Sequence, residues 1–130
     1  MNLFIGIESF MLTNEDRKQI LISVLETIRD ISDTEYQKRI WILGEGPEED
    51  SFDDVVNYFF DEVDGILESH KDFSITVSQY RVLKKFRDQF EEFSDNNDFP
   101  EQFIDTPEWE RIIKMAKEVL GAFNYQKESD

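Results

Sequence analysis

The sequence predicts an all-α protein, a compact single-domain bundle of four to six helices with no sizeable sheet, and three observations carry that expectation. Apolar residues recur at three- and four-residue steps in four separate segments, which is the period of one helix face. Thr13 or Asn14, Ser51 and Thr106 stand where three of those segments need a cap, and the breaks between segments are short. The chain of 130 residues holds twelve Phe, four Tyr and two Trp and is 39% hydrophobic. That supplies large apolar groups for one core but not two, so a single domain spanning residues 1–130 is expected.

Residues 1–12 read as an N-terminal arm, in which Leu3, Phe4, Ile5 and Ile7 suit a short strand or an extended segment tucked against the core. No Lys or Arg precedes Arg17 and no small-residue cleavage site follows, so the arm does not look like a signal peptide. At about twelve residues it is also shorter than the ~20 needed to span a bilayer, and a cytoplasmic location is the simplest expectation. The first helix begins at the Thr13 or Asn14 cap, holds Glu15 and Asp16 in its first turn, and follows the stripe Leu21, Val24, Leu25, Ile28 and Ile31. After Ser32 and Asp33 a shorter helix uses Tyr36, Ile40, Trp41 and Leu43 as its apolar set and stops at Gly44. The stretch Gly44–Asp50, GEGPEED, reads as a solvent-exposed loop.

Ser51 then caps a helix over residues 51–69 around which the rest of the chain is organised. Phe52, Val55, Val56, Phe59, Phe60, Val63, Ile66 and Leu67 share one side of it, and acids occupy the other. A fourth helix from about Thr76 to Ser94 buries Tyr80, Leu83, Phe86, Phe90 and Phe93. It also holds the basic cluster Arg81, Lys84, Lys85 and Arg87, which is placed to pair with acids of neighbouring helices, with Arg87 at the stripe's edge. SDNNDFP, residues 94–100, reads as a surface loop. Pro107 follows the Thr106 cap at the first helical position, and Trp109, Ile112, Ile113, Ala116, Val119, Leu120 and Phe123 form the last stripe. Residues 125–130 read as a flexible tail.

Charge is the most unusual global property: 14 Lys plus Arg against 30 Asp plus Glu, a formal net charge of -16. Such a surface repels phosphate backbones and anionic head groups, so direct nucleic-acid or membrane binding is not expected. The acids concentrate in one region. From Ile40 to His70 there are Glu45, Glu48, Glu49, Asp50, Asp53, Asp54, Asp61, Glu62, Asp64 and Glu68, without one Lys or Arg. Like charges at one-turn spacing cost a helix a few tenths of a kcal/mol per pair, and ordinary solvated helices intersperse signs. The face therefore reads as one kept for an external partner, with a merely solvated, solubilising face as the alternative. Internal neutralisation of these carboxylates by Arg81, Lys84, Lys85 and Arg87 would remove the surface.

Catalytic chemistry finds no foothold. Cysteine is absent and His70 is the single histidine, which excludes thiolate nucleophiles and Cys-based metal sites and leaves no Glu-x-x-His pair for a di-iron centre. Asp95-Asn96-Asn97-Asp98 resembles the start of an EF-hand loop, but Phe99 and Pro100 stand where a ligand and a glycine are required and Thr106 replaces the closing Glu. Gly44-Glu45-Gly46-Pro47 is flanked by acids that repel a nucleotide. No cofactor, no metal and no enzymatic activity are expected.

The segments SDTEYQKRIWILGEGPEEDSFDDVVNYFFDE and DTPEWERIIKMAKEVL resemble a group of small bacterial proteins without assigned activity, over roughly residues 32–120. In its short, acidic, cysteine-free and helical character the chain resembles the immunity proteins of contact-dependent inhibition and related polymorphic toxin systems. That resemblance implies an inhibitor that binds a cognate basic toxin, such as a nuclease, as a heterodimer and without chemistry of its own. The expected binding surface is Glu48, Glu49, Asp50, Asp53, Asp54, Asp61, Glu62, Asp64 and Glu68, with Tyr58 as an aromatic anchor. The alternative is a helical adaptor that binds another protein through an apolar groove, its acidity serving solubility.

Overall fold

A computed structural model of the chain describes residues 12–45 and 51–125, and among them all regular structure is helical, as the sequence predicts. Helix α1 (Asn14–Ile31) begins at Thr13, whose hydroxyl accepts from Asp16 N at 3.0 Å while the Asp16 carboxylate accepts from Thr13 N at 3.0 Å. This reciprocal pair satisfies two of the free donors of the first turn. The short α2 (Thr34–Tyr36), capped by Asp33, does not continue as an ordinary helix. It widens into a π-helical turn over Gln37–Ile42, seen in the five-residue bond from Leu43 N to Lys38 O at 3.0 Å. Gly44, at φ 65°, ends it in a backbone conformation that side chains other than glycine's resist.

Helix α3 (Phe52–Glu68) starts at a Ser51 cap and α4 (Val77–Asn96) at a Thr76 cap, each closed by a reciprocal bond from the third residue, Asp54 and Gln79. A short helix α5 (Pro100–Phe103) precedes α6 (Pro107–Ala122), where Thr106 accepts from Trp109 N at 3.3 Å. Asn124, at φ 52°, turns the chain out of α6. The expected loop over residues 94–100 is corrected on two counts: α4 runs on through Asn96, and Pro100 opens α5 in the first-turn position proline favours.

Helix α6 packs against both α1 and α4, and α3 closes the bundle against α1 and α4. Two aromatic groups fill the space between them. Phe59, Phe60, Phe86 and Phe90 interlock between α3 and α4. Trp41, Phe52, Phe93 and Phe103 surround Trp109, at centroid distances of 4.8–6.1 Å. Phe52 touches Phe90 at 6.2 Å and joins the two groups. Gln37, the first residue of the π turn, is fully buried, and Leu43, expected on the apolar side, instead follows the turn as its C-terminal cap and is 64% exposed.

No helix among the described residues is long and apolar enough to cross a membrane. The expected N-terminal arm, the acids Glu48, Glu49 and Asp50, and the tail beyond Tyr125 lie outside the described residues.

Candidate partner-binding surface

The apolar stripe of α3 is buried as the spacing predicts. Phe52, Val55, Phe59, Val63 and Ile66 are in the core, and Val56, Phe60 and Leu67 are packed against it. The stripe fixes the rotation of the helix, so the acids necessarily point away from the bundle. Asp53, Asn57, Tyr58, Asp61 and Glu68 are exposed, and Asp54, Glu62 and Asp64 are half-buried at the margins or ends of the face. Asp53 and Asp54 stand in the first turn, where a negative charge is favoured by the helix dipole; Glu68 stands in the last, where it is not.

Three of the expected binding carboxylates have work within the fold. The Asp54 carboxylate accepts from Ser51 N at 3.3 Å and closes the cap. Glu62 accepts from the Ser23 hydroxyl at 3.3 Å and ties α3 to α1. Asp64 is the one neutralised by the basic cluster of α4: Arg87 Nε donates to it at 2.9 Å. Arg87 also meets Asp88 at 3.2 Å and Glu91 at 3.1 Å, and lies over the Phe60 ring at 5.3 Å. The hydrogen bond to Asp64, then those to Glu91 and Asp88, hold the Arg87 guanidinium above its ordinary pKa against the opposing effect of burial. Arg87 is thus an organiser of the α3–α4 seam. Exchanging Arg87 for Gln is expected to lower unfolding stability by about 1–2 kcal/mol by denaturant titration, since a charged hydrogen-bond hub is lost but its partners can still reach water.

Lys84 turns to Asp88 on its own helix at 3.0 Å and so holds the Asp88 carboxyl below the usual carboxylate range. A lowered carboxyl stabilises the fold above its unfolded pKa, and that contribution fades as pH falls through the folded value. Glu68 shares a shallow depression with Asp64, Lys84 and Arg87. What remains of the face is Asp61 near its middle and Asp53 toward one margin, with Tyr58, 55% exposed, one turn before Asp61. Neither acid forms an ion pair with a cation among the described residues.

His70 packs its ring on Tyr80 at 4.6 Å and brings Nδ1 within 3.3 Å of the Leu67 carbonyl, which is a structural role at a helix end. No group of three or more His, Asp or Glu among the described residues is arranged to hold a metal ion. Asp95 and Asn96 belong to α4 and not to a loop. The buried amide of Gln37 escaped the sequence argument altogether, and no local signal distinguishes it from the other polar residues around it. Comparison with protein-family models, with curated proteins and with solved structures returned no match.

Proposed function

We propose that this chain is a non-enzymatic inhibitor of the immunity type, which acts in the cytoplasm by binding a cognate basic toxin domain, a nuclease, one to one through the outward face of α3. The observation that supports this reading is the charge of that helix. Over Phe52–Glu68 it carries Asp53, Asp54, Asp61, Glu62, Asp64 and Glu68 and no Lys or Arg, and among the described residues only Asp64 of these is paired with a cation. A protein that acts on nucleic acid presents a basic groove, and a rigid acidic helix can occupy it in place of the phosphate backbone. Tyr58, 55% exposed on a rigid helix, is suited to anchor the contact at small entropic cost.

The test is association kinetics with a basic toxin domain, the first to try being any that an adjacent reading frame encodes. Reversing Asp53 and Asp61 to Lys is expected to slow association by about tenfold or more at low salt. Tyr58→Ala is expected to act on dissociation instead, speeding it by about tenfold, the effect of losing a central aromatic. Both residues chosen for reversal are free of the cap's hydrogen bonds and of the α3–α4 seam, so the fold should persist, with a loss of about 1 kcal/mol at most from placing a cation in the first turn at position 53. Association that is insensitive to the double reversal and to ionic strength would rule out the acidic face, and would favour the apolar-groove adaptor instead.

A further inference from the structure

We propose that the groove between α4 and α6 is a self-association surface, which pairs two copies of this chain about a two-fold axis passing near Gln89 and Met115. The two helices run antiparallel, as the bond from Gln79 Nε2 to the Ala122 carbonyl at 3.1 Å and the Phe93–Trp109 contact at 5.1 Å require. Between them a depression of about 240 Å³ opens over Phe93, Ile112 and Met115. Beyond Met115 it continues into a second depression of about 160 Å³ over Val82 and Phe86. The floor is apolar along its whole length.

The rims carry the argument. Around the centre of the groove α4 presents the exposed Lys85, Gln89 and Glu92, and α6 presents the exposed Arg111 and Glu118 on either side of the half-buried Met115, with the exposed Arg81 and Glu108 farther out on the two rims. The central stretch of each rim is thus cation, neutral, anion, and each cation there stands seven residues, about 10.5 Å, from its anion. The register set by the two cross-contacts puts the rim midpoints within about half a turn of each other, so one axis can serve both. None of the four charged side chains forms an ion pair with another described residue.

A two-fold axis lying across the groove reverses helix direction but keeps α4 opposite α4 and α6 opposite α6. Lys85 of each copy then meets Glu92 of the second copy, and Arg111 meets Glu118 of the second copy, giving four opposite-charge contacts around a closed apolar centre. A central stretch that is antisymmetric on both rims complements itself, and the outlying Arg81 and Glu108 fall opposite the uncharged residues 96–97 and 121–122 of the second copy, so neither meets a like charge. The face measures about 22 by 20 Å, on the order of 400 Å² per copy, which belongs to weak and reversible association. The net charge of -16 on each copy opposes pairing at long range, and screening over about 8 Å at physiological salt reduces that repulsion more than it weakens contacts at the interface. The groove shares no residue with α3, so the proposal stands independently of the inhibitor reading.

Sedimentation of the full chain from about 10 μM to 1 mM at physiological salt tests it. Wild type is expected to show a concentration-dependent monomer–dimer equilibrium. Lys85→Glu and Glu92→Lys should each weaken it at least about tenfold, because each places like charges opposite one another twice. An equimolar mixture of the two variants should recover association as a one-to-one heterodimer, since every contact is again between opposite charges. Circular dichroism of the variants should match wild type, both sites being exposed, and Asp53→Lys on α3 should leave the dimer intact. A wild-type chain that stays monomeric throughout the range would overturn the proposal, whatever else binds the groove. So would a dimer that both single variants preserve, or one that the mixture fails to restore.

Discussion

Replacing Trp109 with alanine should lower the unfolding free energy by about 3–5 kcal/mol, the largest effect expected of a single substitution here. Trp109 is fully buried, and the rings that touch it come from four different elements: Trp41 from the π turn, Phe52 from α3, Phe93 from α4 and Phe103 from α5. A cavity at this point cannot be filled by moving one neighbour, because each of those rings is also held from another side. Phe52 is wedged against Phe90 at 6.2 Å and Phe93 against Phe103 at 5.0 Å. The unfilled volume therefore persists and adds to the lost transfer free energy. Thermal unfolding should fall by about 10–20 °C, and Trp41 remains as the fluorescent reporter of the transition. A loss below about 1.5 kcal/mol would mean that the site collapses freely and that Trp109 does not hold the four elements together.

The element that dominates the sequence and the residue that dominates the packing are different. The Phe stripe of α3 is legible because five buried positions repeat at helical spacing within seventeen residues, and periodicity is a local signal. Caps are legible for the same reason: Thr13, Ser51 and Thr106 each act on a backbone N–H three residues away. Trp109 could be assigned to a buried stripe but not to a junction, since its neighbours lie as far back as Trp41. The site divides in the same way. That the acids of α3 face outward follows from the stripe; that Asp64 is neutralised by Arg87, 23 residues along the chain, depends on how α3 and α4 pack. The two departures in secondary structure, the π turn at Gln37–Ile42 and the α5 turn at Pro100–Phe103, are short. Tertiary contacts outweigh local preference most easily in segments of that length.

Gln37→Leu should cost about 2–4 kcal/mol although it replaces a buried polar side chain with an apolar one of similar size. Such exchanges are often neutral, because the desolvation penalty of the polar group disappears along with its bonds. Here the partners stay behind. Gln37 Oε1 accepts from Trp109 Nε1 at 2.9 Å, and Gln37 Nε2 donates to the carbonyls of Asp30 at 2.9 Å and Ile31 at 2.8 Å. The two carbonyls end α1, where no further helical N–H reaches them in the usual pattern, and Asp30 alone receives a second bond, from Asp33 N at 3.2 Å. Leucine leaves an indole N–H and the Ile31 carbonyl buried and unmatched, each costing about 1–3 kcal/mol. A double-mutant cycle isolates the shared part. Trp109→Phe removes the stranded indole donor, so Gln37→Leu should be less damaging by about 1 kcal/mol or more on that background. Strict additivity of the two would show that the Trp109–Gln37 bond contributes nothing of its own. The amide of Gln37 would then act on the fold only through its bonds to the carbonyls of Asp30 and Ile31, beside the packing of Ile40 and Trp41.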